Sequence, residues 1–165
     1  MLRASARYER VFFYASRGTG KTTCIVADRC IKGLLWPGEI VGYYAPTETQ
    51  AAPIASKAFA TFQRNTPLLA DMWDKPRDSK ANFQLTTPNR SQFTMNIKRG
   101  VDTSSLIAEE AGQEETKNPF DWENFNQIAM PTNRKEYKVN GVSPKGAVNL
   151  QVIYITSASR KENTA

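Results

Sequence analysis

The chain of 165 residues is long enough for one domain with a real core and short for two, and 40% hydrophobic with 23% charged residues is ordinary for a soluble globular protein. With no histidine and only Cys24 and Cys30 as cysteines, zinc sites and histidine-based acid/base or nucleophilic mechanisms are excluded, leaving Lys, Arg, Ser, Thr and carboxylates to carry any chemistry. The 22 basic against 16 acidic residues give a net charge of +6, which suits a polyanion such as nucleic acid, but residues like Arg64, Lys80, Arg99 and Lys138 are scattered, so a solvated surface explains them equally well.

No apolar run approaches the roughly 18 residues of a membrane span. Residues 1–9 lack the apolar core of a secretion signal and read as a frayed leader, so a cytoplasmic protein without membrane contact is expected. Val11 to Ala15 follows as a buried strand of β-branched and aromatic residues. From Lys21 to about Leu35 no proline interrupts, and Ile25, Ala27, Cys30, Ile31 and Leu34 recur near helical spacing. Cys24 and Cys30 would then point roughly 120° apart on one helix, and no disulfide between them is expected. Trp36-Pro37-Gly38 turns the chain into a second strand, Glu39 to Ala45.

Ala51, Ile54, Ala55, Ala58, Phe59 and Phe62 then line one helical face, placing a helix over 47–63, with Thr47 and Gln50 matching a capping box. A polar loop with Pro67 and Pro76 follows, and Phe83 to Thr87 and Ser91 to Ile97 flank Pro88-Asn89-Arg90 as a hairpin. Asp71, Asp74 and Asp78 are interleaved with Lys75, Arg77 and Lys80, which reads as a solvated loop rather than a metal cluster. Ser104 to Ala108 is a short strand, 121–129 a helix stopped by Pro131, and Val148 to Ile155 the last strand. Trp73, Trp122 and the Tyr43-Tyr44 pair are assigned to packing rather than to stacking on bases. Strands alternating with helices predict an α/β fold with a mostly parallel central sheet flanked by helices, the hairpin being an insertion or an edge.

Ala15-Ser16-Arg17-Gly18-Thr19-Gly20-Lys21-Thr22 matches G-x-x-x-x-G-K-[ST] everywhere but the first place, where alanine stands for glycine. A phosphate chain needs converging amide N–H groups, so Gly18 and Gly20 supply a backbone that bends tightly without a Cβ in the way. The following helix turns its positive end toward the anion. Ser16 to Thr23 is therefore the expected cradle for the phosphates of a nucleotide, with Lys21 on the β- and γ-phosphates and the Thr22 hydroxyl on Mg²⁺, the alternative being a glycine-rich strand-to-helix turn that binds nothing. Arg17 is open to two readings: a cis-acting arginine on the γ-phosphate, or a surface arginine, including one paired with Glu109.

Hydrolysis also needs a carboxylate near the metal and one that orients or deprotonates water. Glu109 and Glu110 offer both at the end of an apolar strand, Glu109 toward the metal and Glu110 toward the water, although the roles can be reversed and glutamate stands where aspartate is usual. The final strand ends in Thr156-Ser157-Ala158-Ser159, at the carboxyl edge where ligands of parallel sheets bind. Thr156 or Ser157 would sense the γ-phosphate there, or else form an ordinary strand exit.

Four segments in order give the chain a resemblance to the ATPase core of the large terminase subunit of tailed bacteriophages: Ser16 to Thr22, Tyr44 to Ala51, Lys98-Arg99-Gly100 with Leu106 to Ala111, and Ile155 to Ala158. The resemblance implies a P-loop NTPase of the additional-strand type that couples Mg·ATP hydrolysis to translocation of double-stranded DNA into a procapsid. It implies Lys21, Thr22 and Glu109 for Mg·ATP, Arg17 on the γ-phosphate, Glu110 as the catalytic acid, and Thr156, Ser157 and Ala158 as the coupler. The implied partners are DNA, a portal protein, a small terminase subunit and further copies in a ring, in the host cell cytoplasm. Such subunits usually carry an N-terminal adenine-contacting segment and a C-terminal nuclease domain, neither of which is expected within residues 1–165. Two other readings stay open: a helicase-like ATPase fragment, and a nucleotide-binding module without turnover.

Overall fold

The structure, a computed structural model, describes residues 2–5, 7–36, 38–72, 84–86, 91–95, 103–112, 120–129 and 151–157. The elements in order are α1 (Leu2–Ser5), β1 (Arg10–Ala15), α2 (Lys21–Leu35), β2 (Ile40–Tyr44), α3 (Glu48–Asn65), α4 (Pro67–Ala70), β3 (Gln84–Thr86), β4 (Gln92–Met95), β5 (Ser105–Glu109), α5 (Trp122–Ile128) and β6 (Gln151–Ser157). The strands form one sheet in the order β1-β6-β5-β2-β4-β3. Five of them run parallel, and β3 pairs antiparallel with β4 at the edge, where the expected hairpin belongs. Among the described residues the last strand in sequence, β6, lies between β1 and β5, which is the additional-strand arrangement.

Side chains alternate across a strand, so the central strands β5 and β6 serve two cores. Val41, Tyr43, Phe93, Ile107, Ile153 and Ile155 face α2 and α3 and pack with Ile25, Val26, Cys30, Ala55, Ala58, Phe59 and Phe62. Leu106, Ala108 and Val152 face the other way and pack with Phe120, Phe125, Ile128 and Ala129 around α5. Trp122 joins this second core against Phe120 and Tyr154, with ring centroids 4.7 and 5.8 Å away, so it packs as expected. The Asp121 side chain accepts the Asn124 amide at 2.9 Å and starts α5.

Several local expectations need correction. Residues 2–5 form a helical turn that is tied down: Ser5 donates to Asp28 at 3.3 Å, and the Gln151 amide donates to the carbonyls of Ser5 and Tyr8. The buried face of α2 is Ile25, Val26, Arg29, Cys30 and Gly33, while Ile31 is exposed. Buried Arg29 folds back onto its neighbour Asp28 at 2.5 Å, a pairing that hydrophobic periodicity does not reveal. Thr47 is the N-cap of α3, but its side chain makes no cap bond and its hydroxyl is buried without a partner, so the capping box is not formed as expected. The chain after α3 enters the short α4 where a loop was expected. Residues 73–80, 96–100, 148–150 and 158–159, with the expectations placed on them, lie outside the described residues.

Both cysteines are free, Cys24 exposed and Cys30 buried among apolar side chains that push its thiol far above the usual range. Alkylation of the folded protein is expected to add one label, on Cys24, and a second only after denaturation. Intact-mass measurement with and without urea checks this.

Candidate nucleotide-binding site

The parallel strands β1, β5 and β6 all end at one edge of the sheet, and the register there brings the sequence motifs together. Ala15 lies opposite Ser157, and Glu109 lies opposite Ile155. On β5, Ile107 points toward α2 and α3, so two residues later Glu109 points the same way, onto the start of α2. Ser157 shares the orientation of Ile153 and Ile155, while Thr156 faces the opposite side of the sheet.

The loop from Ala15 to Lys21 turns on Gly18 and Gly20, at φ 78° and 75°, a region that a Cβ disfavours. Gly20 is the N-cap of α2 and has no side chain to cap it, and no acidic residue occupies the first turn. The first-turn amides of this 15-residue helix are therefore left for an acceptor from outside, with the helix dipole favouring an anion. Lys21 is buried and donates to the carbonyls of Ala15 and Ser16, each at 2.9 Å, and to the Ser157 hydroxyl at 3.3 Å. Thr19 ties the loop by donating to the Ser16 carbonyl at 3.0 Å.

The acids sit across from this loop. Thr22 donates to Glu109 Oε1 and Tyr43 to Glu109 Oε2, both at 2.8 Å. Burial raises the Glu109 carboxyl above the usual carboxylate range; the Tyr43 and Thr22 hydrogen bonds pull it back, Glu110 pushes it up and Lys21 lowers it. Ser157 donates to Glu110 Oε1 at 3.3 Å. Glu110 has φ 53°, the one non-glycine residue in the left-handed region among the described residues. That conformation costs on the order of 1 kcal/mol and turns the second carboxylate away from the strand direction of the first.

A cleft of about 560 Å³ opens between these elements, lined by Arg17, Gly18, Gly20, Lys21, Thr22, Thr23, Glu109, Glu110 and Ser157 from the sheet edge and by Ile54, Lys57, Ala58 and Thr61 from α3. Every predicted site residue from Arg17 to Thr23 except Thr19 thus borders one space with both acids and Ser157; Ser16 and Thr19 are exposed outside its lining and take part in the loop's own hydrogen bonds. Arg17 is exposed at the mouth, and among the described residues it forms no ion pair with Glu109, whose two oxygens are taken by Thr22 and Tyr43. Thr22 and Glu109 present hard oxygen donors side by side, which fits Mg²⁺ completed by water and phosphate oxygens. No group of three or more Cys, Asp or Glu residues able to cage a metal occurs among the described residues, so a protein-only cage is not what this site offers.

Thr156 does not line the cleft. Its hydroxyl accepts the Gly112 amide at 3.1 Å, while the Ala111 amide donates to the Ile155 carbonyl at 3.1 Å, so the turn after the acids is fastened to the end of β6. Ala158 lies outside the described residues. A Cβ on Gly112 would stand 2.6 Å from Thr156 Oγ1. Gly112→Ala is accordingly expected to cost about 1–3 kcal/mol in urea unfolding, part of which Thr156→Ala in the same chain should restore by removing the clashing hydroxyl.

Sequence reasoning missed the α3 wall, Lys57 and Thr61, because they lie off the apolar stripe that identified the helix. It also assigned Tyr43 to packing alone. Tyr43 does pack, with its ring centroid 6.3 Å from that of Phe93, but the register of β2 on β5 also gives its hydroxyl to Glu109.

No family model and no curated protein matches the sequence. Solved structures do match the fold. The large terminase of bacteriophage HK97 superposes with a TM-score of 0.61 at 15% identity, over 90% of this chain and 29% of its own. A large terminase from a thermophilic bacteriophage gives 0.55 at 12% identity, over 90% and 34%, and the ATPase domain of the Thermus phage P74-26 large terminase gives 0.56 at 16%, over 91% and 59%. The chain spans about a third of the length of the first two. At these identities the likeness establishes the fold: the P-loop NTPase architecture found in the ATPase domains of phage large terminases, as the resemblance implied.

Proposed function

We propose that this chain is the ATPase core of a viral DNA-packaging motor, hydrolysing Mg·ATP in the cleft between the Gly18–Lys21 loop and the Glu109-Glu110 pair. The observation that carries this reading is the Thr22–Glu109 hydrogen bond of 2.8 Å, which ties the end of a phosphate loop to an acid from a strand two places away in the sheet.

The residues divide the work by position. The glycine-shaped loop and the open amides of α2 hold the phosphate chain, and Lys21, now resting on the loop's own carbonyls, has its charge beside them. Thr22 and Glu109 would hold Mg²⁺, which when bound would supply positive charge to offset that of the phosphates. Glu110 orients the attacking water and accepts its proton, with Ser157 fixing one carboxylate oxygen. Arg17, unpaired with any acid in the described residues and at the cleft mouth, reaches toward the γ-phosphate to stabilise charge in the transition state. Thr156, Ser157 and Ala158 relay the state of the site to the rest of the motor.

A net charge of +6 supports a DNA partner, and the terminase fold supports a portal protein, a small subunit and a ring of copies as the setting, within the host cell cytoplasm. No helix among the described residues is long and apolar enough to cross a membrane. Phosphate release from ATP, measured with Mg²⁺ or EDTA and with or without double-stranded DNA, tests the proposal. Magnesium-dependent turnover that DNA accelerates is expected; absence of turnover together with absence of nucleotide binding would overturn it.

A further inference from the structure

We propose that Tyr43 is a positioning residue of this site: its phenol holds the far oxygen of Glu109 so that the near oxygen stays on Thr22, and it thereby sets how much a divalent cation adds to nucleotide affinity. The proposal rests on the nucleotide-site reading above and assigns a role to a residue outside the loop and the acid pair.

The placement follows from register. Tyr43 pairs with Ile107 across β2 and β5, so Glu109 lies two residues further toward the edge on the same face of the sheet. Two residues of strand rise about 6.5 Å, a distance a tyrosine ring spans when its side chain leans along the strand. The hydroxyl therefore arrives at Glu109 Oε2, 2.8 Å away, while Thr22 occupies Oε1 at the same distance. The carboxylate is held at both oxygens, with Oε1 kept on Thr22.

Packing alone does not require the hydroxyl, because phenylalanine would fill the same space against Phe93. Tyr43 is 0% exposed and Glu109 4%, so water has little access to replace a lost donor. The oxygen that Tyr43 releases on removal would seek another donor, and Thr22 is the nearest one already in use. That competition pulls the carboxylate away from the orientation in which it stands beside the cation position.

The test uses the full chain and a fluorescent ADP, titrated in Mg²⁺ and in EDTA. In the wild type, Mg²⁺ should tighten binding; in Tyr43→Phe the ratio of the two dissociation constants should fall at least about fivefold, with the EDTA value unchanged within about twofold. Glu109→Gln should lower the same ratio, and adding Tyr43→Phe to it should change nothing more, because the two residues act through one carboxylate. An unaltered ratio in Tyr43→Phe, or equal weakening in Mg²⁺ and EDTA as a merely structural role would give, overturns the assignment while leaving the nucleotide site intact. A wild type that binds in neither condition overturns the nucleotide-site reading and this proposal with it. Should Tyr43→Phe melt before it can be titrated, the double variant, in which no buried carboxylate is left short of a donor, decides the matter: matching Glu109→Gln supports the role, and differing from it overturns it.

Discussion

Lys21→Ala is expected to weaken ATP binding by roughly 100-fold or more, since it removes the charge-assisted contacts to phosphate that carry a large share of such an affinity. The side chain is nearly buried and now spends its three N–H groups on Ala15, Ser16 and Ser157, so it is already held within the loop proposed to receive the phosphates. Truncation leaves two carbonyls converging on an empty centre, and the repulsion they then present to an anion adds to the loss of the ammonium. Titration of a fluorescent ATP analogue measures the effect, and circular dichroism establishes that the sheet persists. Affinity within about threefold of wild type would show that the cradle is not where the nucleotide is held.

Glu110→Gln is expected to lower turnover about 1,000-fold while leaving nucleotide affinity within about twofold. A positioned general base is worth roughly 10²–10⁴ in rate, and the amide keeps the size of the side chain and an oxygen for Ser157 while losing the ability to take a proton. Glu109→Gln should behave differently: it acts on the Thr22 pair and so reduces affinity in Mg²⁺ as well as rate. Single-turnover phosphate release alongside equilibrium titration separates the two acids. A Glu110 variant that binds poorly, with a Glu109 variant that only slows, would mean that the roles are exchanged.

Much of this site is legible in the sequence because its parts are local. The glycines of the loop, the strand before it and the helix after it occupy neighbouring positions, and Lys21–Leu35 ends as expected at Trp36. Strand periodicity located β1, β2, β5 and β6 to within a few residues, and with parallel pairing this was enough to bring Glu109, Ser157 and the loop to one edge. What stayed hidden depends on contacts between distant segments. The grip of Tyr43 on Glu109 exists only in one register of β2 against β5, and residues 43 and 109 carry no sign of each other. Lys57 and Thr61 border the cleft only because α3 packs beside α2. Thr47 failed for the opposite reason: a local motif was present, but burial of its hydroxyl left it without the expected partner. Arg29 lies outside the apolar stripe read for α2 and is nonetheless enclosed, because α2 has neighbours on more than one flank.

The pleat of β6 has a mechanical implication. Ser157 attends the acid on one side of the sheet, and its immediate neighbour Thr156 clasps the turn on the reverse side. A single peptide unit separates them, on a strand paired to β1 on one side and β5 on the other. Under the proposed function, a displacement of the strand tip at the cleft would reach both surfaces of the sheet through adjacent residues.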